Sequence, residues 1–183
     1  MMRALRILLL LCLASTASMV SATTIIPMTV EQLASKSTLV VRARAMQSWS
    51  EWNPQHTIIY TYTKFQVLKS FKGSPEQTIT VKQLGGRVDN TVQKVSGVRQ
   101  FTGGEENFLF LQPSQDNDGT MIVTGLVQGN FRLYRTNTGQ VAASNGVPEV
   151  SAVQAGTGTV STYRGSTVTV DQLESRIQKA VQQ

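Results

Sequence analysis

The stretch IIYTYTKFQV, at positions Ile58–Val67, decides the fold of this chain. Its side chains alternate in character between two faces. One face carries Ile59, Thr61, Thr63, Phe65 and Val67. The opposite face carries Tyr60, Tyr62, Lys64 and Gln66. A period of two is typical of a β-strand with one buried face and one solvated face, so the stretch predicts a strand whose apolar face joins the core.

Similar short segments lie on both sides of it, separated by turn signals. They are Leu39–Met46, Thr78–Leu84, Phe108–Leu111, Thr120–Leu126, Asn130–Arg135 and, after a turn at Thr136–Gly139, Gln140–Ala143. Phe108–Leu111 is apolar on both faces, which predicts a central, fully buried strand. Ser144–Ser166 lacks a clear period and predicts a long loop or a weakly paired strand. Many short strands favour a closed or nearly closed barrel, or a sandwich, around one apolar centre.

A short helix is predicted at each end of this β region. Thr29-Val30-Glu31-Gln32 and Thr169-Val170-Asp171-Gln172 both place a threonine at the N-cap and a glutamine three residues later, which is a capping box. Apolar residues then recur at helical spacing. In the first helix, over Thr29–Ser37, they are Val30, Leu33 and Ala34, and in the second they are Val170, Leu173, Ile177 and Val181.

The first 22 residues have the three regions of a secretory signal peptide. Met1–Arg6 carries two arginines, Ile7–Ala14 is apolar, and Ser15–Ala22 is small and polar. The apolar run is too short to span a membrane, which takes about 20 residues. Cleavage after Ala22 predicts a single mature domain over residues 23–183. We expect that domain to be secreted or periplasmic, with no membrane span after the signal peptide is removed.

The scarcity of cysteine and histidine argues against a metal site. The chain has one cysteine, Cys12 in the leader, and one histidine, His56. Zinc takes three or four ligands from Cys, His and carboxylates, so no metal site and no cofactor are predicted. Asp116-Asn117-Asp118-Gly119 matches the start of a calcium loop but lacks its closing glutamate, which favours a tight turn. Glu105 and Glu106 are neighbours on a strand entry and should point to opposite faces. A hydrolase using His56 stays an open, unsupported alternative.

The best contact candidates are the tryptophans that flank Ser50 and Glu51. Trp49, Trp52 and His56 fall in a predicted loop, Trp49–His56, which also contains Pro54. Exposed tryptophans on a loop make good recognition anchors because they bury much area at little entropic cost. The competing interpretation, which is somewhat favoured, is that they cover one end of the barrel and that His56 is an ordinary loop residue.

A second candidate surface combines cations and aromatic rings. Its members would share one outer face if the first two strands pair: Arg42, Arg44, Tyr60, Tyr62 and Lys64. Such a face could bind single-stranded nucleic acid or an anionic polysaccharide. The alternative is a solvated sheet face with cross-strand contacts between cations and rings. Without the two arginines of the leader the formal net charge falls from +6 to +4, which is too small to argue for nucleic acid, and secretion disfavours it.

The order of elements resembles that of a group of secreted bacterial β-domains. It is carried by the helix Thr29–Ser37, by Leu39–Ala43, Ile59–Val67, Phe71-Lys72-Gly73, Ile79–Val81 with Gly85-Gly86, Phe101–Glu106, Phe108–Leu111 and Gly125–Arg132. That pattern is similar in turn to the OB-fold inhibitor domain of tissue inhibitors of metalloproteinases. The resemblance covers roughly Thr29–Arg135. It implies an OB-like barrel and an extracellular protease as one candidate partner.

The same resemblance adds the mature N-terminus to the candidate contact residues. Those inhibitors chelate the protease zinc through an N-terminal cysteine, whereas this mature chain begins Thr23-Thr24-Ile25-Ile26-Pro27. Taken together, we expect a mainly β, OB-like, closed or partly open small barrel with a short N-terminal helix and a C-terminal helix. We expect a non-enzymatic binding module for an unknown protein partner, touching it through Thr23, Thr24, Trp49, Trp52 and His56. The alternative is the anion-binding surface.

Overall fold

The computed structural model describes residues 24–146, 150–153 and 159–182. The expected signal peptide and Thr23 lie outside the described residues. The helices are α1 (Val30–Lys36) and α2 (Val170–Val181), with a 3-10 turn at Leu126–Gly129. The strands are β1 (Thr24–Ile25), β2 (Leu39–Trp52), β3 (Ile59–Lys72), β4 (Thr78–Leu84), β5 (Gly86–Val88), β6 (Thr91–Gln93), β7 (Glu106–Pro113), β8 (Met121–Val123), β9 (Asn130–Arg135), β10 (Val141–Ser144), β11 (Ser151–Val153), β12 (Val160–Thr162) and β13 (Thr167–Thr169). A mainly β domain with a helix near each end is confirmed.

Within the described residues, eight strands form one mixed sheet in the order β13-β10-β9-β7-β2-β3-β4-β8. Strand β7 lies at the branch point of the sheet, because it pairs with three other strands. One edge pairs with β2, while the other is divided: Asn107–Leu109 pair with β9, and Leu111–Pro113 pair with β8. Strand β8 reaches β4 through one parallel pair, Val81 with Met121. Strands β2, β3, β4, β8 and β7 therefore form a partly closed ring, and β9, β10 and β13 form a branch beside it.

The apolar side chains divide into two main clusters, one on each face of β7. Phe108 and Phe110 pack toward the helices, with Val40, Phe131, Leu33, Leu173 and Ile177. Leu109 and Leu111 pack inside the ring, with Val41, Ala43, Phe65 and Val81. The prediction of a fully buried strand at Phe108–Leu111 is confirmed, since all four residues are 0 % exposed. The prediction of one apolar centre is wrong, because α1 and α2 cover the outer face of the sheet and create a second core.

The first hairpin is longer than the alternation in the sequence predicts. Strand β2 runs on to Trp52, so Trp49 and Trp52 lie in a strand and not in a loop. Ladder hydrogen bonds are supplemented here by hydroxyl pairs, Ser48 with Thr63 and Ser50 with Thr61, each 2.8 Å apart. These pairs explain why a polar stretch without alternation stays in the sheet. The loop predicted at Trp49–His56 contracts to a tight turn after Trp52.

Asn53 fixes that turn. Its Oδ1 accepts hydrogen bonds from the backbone N–H of Thr57 at 2.7 Å and of Ile58 at 3.0 Å. The backbone N–H of Asn53 donates to the carbonyl of Ile58 at 2.8 Å. His56 takes the left-handed φ of 54° that the turn requires. The hairpin tip is thus a hydrogen-bonded turn with a defined backbone.

Two later segments differ from their predictions. The strand predicted over Thr120–Leu126 ends at Val123, because Gly125 and Leu126 both take left-handed φ angles, of 68° and 60°. For Ser144–Ser166 the structure favours the weakly paired strand over the long loop. Strand β11 pairs parallel with β1 and antiparallel with β12. Residues 147–149 and 154–158 of this segment lie outside the described residues. No helix in the described part of the chain is both long and apolar enough to cross a membrane.

Both predicted capping boxes are confirmed. The two helices are also joined by an ion pair, in which Arg176 donates from Nε to Oε1 of Glu31 at 3.0 Å and from Nη2 to Oε2 at 2.9 Å. These hydrogen bonds lower the pKa of Glu31 from 4.5 to about 2. Because both side chains are over 40 % exposed, the pair contributes less than about 1 kcal/mol.

A carboxyl whose pKa is lower in the folded state stabilises the fold above its unfolded pKa. The contribution of Glu31 is therefore complete above about pH 4.5 and is lost as the pH falls toward 2. We expect an NMR titration of the Glu31 side-chain carboxyl to give a midpoint below the usual 4.5 in the wild type. In Arg176→Met the midpoint should rise toward 4.5. A wild-type midpoint that already lies near 4.5 would show that the pair does not form in solution.

Candidate functional site

The register of the first hairpin gathers aromatic side chains on one face near its tip. Trp49 lies opposite Tyr62, and Glu51 lies opposite Tyr60. On the next strand, Lys82 lies opposite Tyr62. Residues opposite each other in an antiparallel ladder share a face, so these side chains from β2, β3 and β4 form one surface. We call this surface, together with Trp52, His56, Asp116 and Asp118, the aromatic cleft.

The rings of the aromatic cleft are in contact in pairs. Trp49 stacks on Tyr62 with centroids 5.5 Å apart and planes 14° from parallel. Tyr60 meets Tyr62 edge to face at 6.5 Å, and Trp52 stacks on His56 at 6.0 Å. Offset-stacked and edge-to-face arrangements are the favourable geometries for aromatic pairs. Trp49 nevertheless remains 41 % exposed, so a large apolar surface faces solvent at the hairpin tip.

Lys82 carries the charge at the centre of the cleft. Its side chain is 8 % exposed, and its Nζ lies 2.5 Å from Asp116 Oδ2 and 3.2 Å from Asp118 Oδ2. The same ammonium lies 4.3 Å from the ring centroid of Tyr60 and 5.5 Å from that of Tyr62. Burial alone would lower the pKa of Lys82, but its hydrogen bonds to the two aspartates outweigh burial and raise the pKa above its usual value. Lys82 is therefore cationic throughout the physiological range.

The two aspartates belong to the turn between β7 and β8, which confirms the tight turn predicted at Asp116–Gly119. Asp118 Oδ1 accepts hydrogen bonds from the N–H of Thr120 at 3.0 Å and from its hydroxyl at 2.5 Å. The hydrogen bonds from Thr120, followed by the one from Lys82, lower the pKa of Asp118. The turn is thus anchored by its own backbone and presents both carboxylates to the cleft.

The cleft encloses about 620 Å³ between the hairpin tip and this turn. It is lined by Glu51, Trp52, Asn53, Pro54, Gln55, His56, Tyr60, Tyr62, Lys82, Asp116 and Asp118. Trp49 extends the aromatic surface by stacking on Tyr62. Three carboxylates face one ammonium group, so the cleft is acidic although the whole chain has a formal net charge of +6. An acidic, aromatic surface attracts cations and repels anions.

The pairing of β2 with β3 places Arg44 opposite Gln66, which lies on the same face of β3 as Tyr60, Tyr62 and Lys64. Tyr60 and Tyr62 belong to the aromatic cleft, whereas Arg42 and Arg44 lie farther along the hairpin, opposite Lys69 and Gln66. Both arginines are paired with Glu106, Arg42 at 2.9 Å and Arg44 at 2.5 Å. Arg44 is the largest cause, and Arg42 a second, of the lowered pKa of Glu106. Lys64 is exposed on β3 between these arginines and the tyrosines. Two of the three cations of this surface are therefore paired with a carboxylate.

The neighbouring carboxylates Glu105 and Glu106 have different partners, as their adjacency on a strand predicts. The Glu105 side chain is 5 % exposed and lies 3.2 Å from Nη1 of Arg99 and 3.5 Å from Nε of Arg132. Arg99 also donates from Nη2 to the side-chain oxygens of Asn107 at 3.0 Å and of Asn130 at 3.2 Å. Burial lowers the pKa of Arg99, and Glu105 opposes that effect. Glu105 therefore belongs to a buried structural network.

The N-terminal candidates lie elsewhere. Thr23 is outside the described residues, and Thr24 is exposed on β1, paired with Ser151. The next residue, Ile25, is buried in a small cluster with Val127, Val150 and Tyr163. Gln128 holds this segment by accepting from the N–H of Met28 at 2.7 Å and donating to the carbonyl of Ile26 at 3.1 Å. These contacts attach the N-terminal segment to the 3-10 turn.

Sequence reasoning missed Lys82, Asp116 and Asp118 as partners of the aromatic residues. The sequence does place Lys82 within the predicted strand Thr78–Leu84. Only the pairing of β3 with β4, however, shows that Lys82 lies beside Tyr62. Within residues 24–146, 150–153 and 159–182, no three His, Cys, Asp or Glu side chains are grouped so as to hold a metal ion.

No model of a known protein family matches the sequence, and no curated protein is similar to it. The function is therefore argued from the geometry and charge of the aromatic cleft.

Proposed function

We propose that this chain is a secreted, non-enzymatic binding module that holds a basic side chain of a protein partner in the aromatic cleft. One observation carries the proposal: the cleft already holds an ammonium group, that of Lys82, between two tyrosine rings and two carboxylates. The remaining surface repeats the same chemistry, because Glu51 lies opposite Tyr60 and two residues along β2 from the exposed Trp49.

The interaction energies favour a cation as the ligand. A lysine or arginine over a tryptophan or tyrosine face gains about 0.5–1 kcal/mol at an exposed site and about 2 kcal/mol when water is excluded. Aromatic anchors at the centre of an interface contribute about 2 kcal/mol or more each. Hydrogen bonds of Asn53 already close the turn at the hairpin tip, so little backbone entropy is lost there when a partner docks.

The other parts of the proposal have separate support. The leader composition supports secretion or a periplasmic location. The packing of the single histidine against Trp52 supports a binding role, and not an enzymatic one, for His56. The partly closed ring of five strands supports an OB-like barrel as the finer description of the fold. An extracellular protease with a basic surface segment is one candidate partner.

The alternative function, binding of an anionic polysaccharide or nucleic acid, has weaker support. Glu106 pairs with both Arg42 and Arg44, and Glu174 lies 3.6 Å from Arg42. The aromatic rings are flanked by carboxylates that repel phosphate and sulfate. This alternative predicts binding of heparin or single-stranded DNA that weakens steeply with salt. Such binding, lost in Arg42→Glu, would favour the alternative over the proposed function.

The test uses blocked oligolysine and oligoglutamate peptides of equal length, titrated calorimetrically into the purified protein. We expect oligolysine to bind and oligoglutamate not to bind. Trp49→Ala should weaken oligolysine binding about tenfold, because it removes the exposed tryptophan of the cleft. Glu51→Gln should weaken it less, by about threefold, since it removes one exposed charge.

Matched controls separate the cleft from the general surface. Tyr134→Ala removes a ring that is 39 % exposed on β9, and Glu76→Gln removes an exposed carboxylate in the loop before β4. Both should leave the affinity for oligolysine within about twofold of the wild type. Equal losses in Trp49→Ala and Tyr134→Ala would mean that the peptide binds by overall charge, and the proposal would be rejected.

A further inference from the structure

A second pocket lies on the other face of the first hairpin from the aromatic cleft. Glu51 and Tyr60 line the cleft. Ser50 and Thr61, their neighbours in the chain, line the second pocket. Successive side chains of a strand point to opposite faces, so the hairpin separates the two spaces. The second pocket encloses about 490 Å³, which is within the size range of small-molecule binding sites.

Gly86 lets the two-stranded sheet of β5 and β6 lie close to this face of the hairpin. Its φ is 144°, a conformation that favours glycine. A Cβ atom at this position would overlap the hydroxyl oxygens of Ser50 and Thr61. Gln93, which pairs with Gly86, accepts a hydrogen bond through Oε1 from the backbone N–H of Ile59 at 2.7 Å. These contacts attach β5 and β6 to the hairpin and form the base of the pocket.

Two basic side chains also line this pocket, Arg87 on β5 and Lys94 directly after β6. They flank the pair formed by Gly86 and Gln93, one on each strand. Paired Cα atoms lie about 5.5 Å apart or less and consecutive ones about 3.8 Å apart, so the Cα atoms of Arg87 and Lys94 are at most about 13 Å apart. Two long side chains can reach one ligand across that distance. We call this space the basic pocket, and its other polar lining residues are Ser50, Thr61, Gln93, Ser96 and Gln100.

Arg87 and Lys94 have no carboxylate partner among the described residues. Every ion pair in that part of the chain belongs to another lysine or arginine. No aspartate or glutamate of the described residues lines the pocket. Glu51 lines the cleft instead, and Asp89 lies in the turn between β5 and β6. A concave site lined by one sign of charge concentrates the opposite sign, so the basic pocket attracts anions.

Two further side chains of the pocket have hydrogen-bond donors to spare. Gln93 accepts from the Ile59 N–H, and a backbone N–H cannot itself accept, so the accepting atom is Oε1 and Nε2 keeps its two hydrogens. Neither Gln93 Nε2 nor the Ser96 hydroxyl has a partner among the described residues, and neither atom is buried. A guanidinium, an ammonium, an amide and a hydroxyl together match the several lone pairs of a carboxylate or phosphate.

We propose that the basic pocket binds a small organic molecule that carries a carboxylate or phosphate group. The oxyanion lies between Arg87 and Lys94, with Gln93 and Ser96 as further donors. The rest of the molecule contacts the aliphatic part of the lining, which consists of Val92, Val95 and Val98. The basic pocket and the aromatic cleft share no lining residue, so this site does not depend on the proposed function.

Benzoate and benzamide test the charge of the ligand, because they have the same shape and only benzoate is an anion. We expect benzoate, titrated calorimetrically into the purified protein, to bind at least about tenfold more tightly than benzamide. Phenyl phosphate forms a second arm, and the tighter of the two anions identifies the preferred oxyanion. Benzamide binding as tight as that of the better anion, or no binding of either anion at about 20 mM, overturns the proposal.

Three variants that each remove one exposed charge test the location. Arg87→Gln and Lys94→Gln should each weaken binding of the tighter anion about fivefold, and the exposure of both side chains means that neither change disturbs the core. Lys64→Gln is the matched control, because Lys64 is exposed on β3 and does not line the pocket. It should leave the affinity within about twofold of the wild type. Equal losses in all three variants would mean that the anion responds to overall charge, and the proposal would be overturned.

NMR gives a readout that does not depend on the variants. The bound anion should shift the side-chain amide signals of Gln93 and leave the indole signals of Trp49 and Trp52 unchanged. Shifts confined to the backbone amides of Arg42 and Arg44 would place the anion on the other basic surface and overturn the proposal. Arg87→Gln should leave oligolysine binding intact, so failure of this site and failure of the aromatic cleft are distinguishable.

Discussion

Replacement of Glu105 by alanine is expected to lower the free energy of unfolding by about 3–5 kcal/mol. The Glu105 carboxylate is 5 % exposed and pairs with Arg99, whose side chain is 20 % exposed. Removal of the carboxylate leaves the guanidinium of Arg99 charged in a largely buried site, with only the amide oxygens of Asn107 and Asn130 as partners. An uncompensated buried charge is among the most destabilising single changes in a protein.

The neighbouring residue supplies the control for this prediction. Glu106 has two arginine partners, but Arg42 and Arg44 are 32 % and 49 % exposed, so water replaces the carboxylate when it is removed. Glu106→Ala should therefore lower the free energy of unfolding by less than about 1 kcal/mol. Urea unfolding followed by circular dichroism measures both variants. Equal costs for the two variants would mean that Glu105 is not in a buried network.

Substitution of either of two adjacent residues on β7 by alanine is expected to destabilise the fold, although the two side chains lie on opposite faces of the strand. Phe108→Ala should destabilise by about 3–5 kcal/mol and Leu109→Ala by about 2–5 kcal/mol. Phe108 packs among the helix residues Leu33, Leu173 and Ile177, whereas Leu109 packs inside the ring. Both side chains are 0 % exposed, so each substitution leaves a cavity in a different core.

Thermal and urea unfolding of the two variants measures these costs. In a sheet with a single core, adjacent residues face opposite sides, and one of the two substitutions would be nearly neutral. A cost below about 1 kcal/mol for either variant would contradict the two-core packing. Leu133, on β9, is only partly buried against the helix-side core. Leu133→Ala should therefore lower the free energy of unfolding by more than a surface substitution does and by less than Phe108→Ala or Leu109→Ala.

The elements that the sequence predicts well depend on local patterns. The alternation in Ile58–Val67 and the apolar run at Phe108–Leu111 reflect burial on one face and on both faces of a strand. The two capping boxes depend on residues three positions apart, so they are visible without tertiary structure. Each of these signals lies within one element and needs no knowledge of its neighbours.

The remaining features depend on contacts between distant segments. The extension of β2 to Trp52 rests on hydroxyl pairs with β3, and the second core exists because α1 and α2 pack on the same sheet face. The residues of the aromatic cleft were only partly predictable for the same reason. Trp49 and Tyr62 are separated by a turn whose register sets their contact, and Lys82 joins them from a third strand.

The central claim is that the aromatic cleft binds a basic side chain, and the two tryptophans report on it directly. The chain has two tryptophans, Trp49 and Trp52, and both belong to the cleft. Their two indole N–H signals in a ¹H–¹⁵N NMR spectrum can therefore be followed while blocked oligolysine is added. We expect both signals to shift and saturate together, and to stay unchanged with oligoglutamate. Saturable oligolysine binding that leaves both indole signals unmoved would contradict the claim.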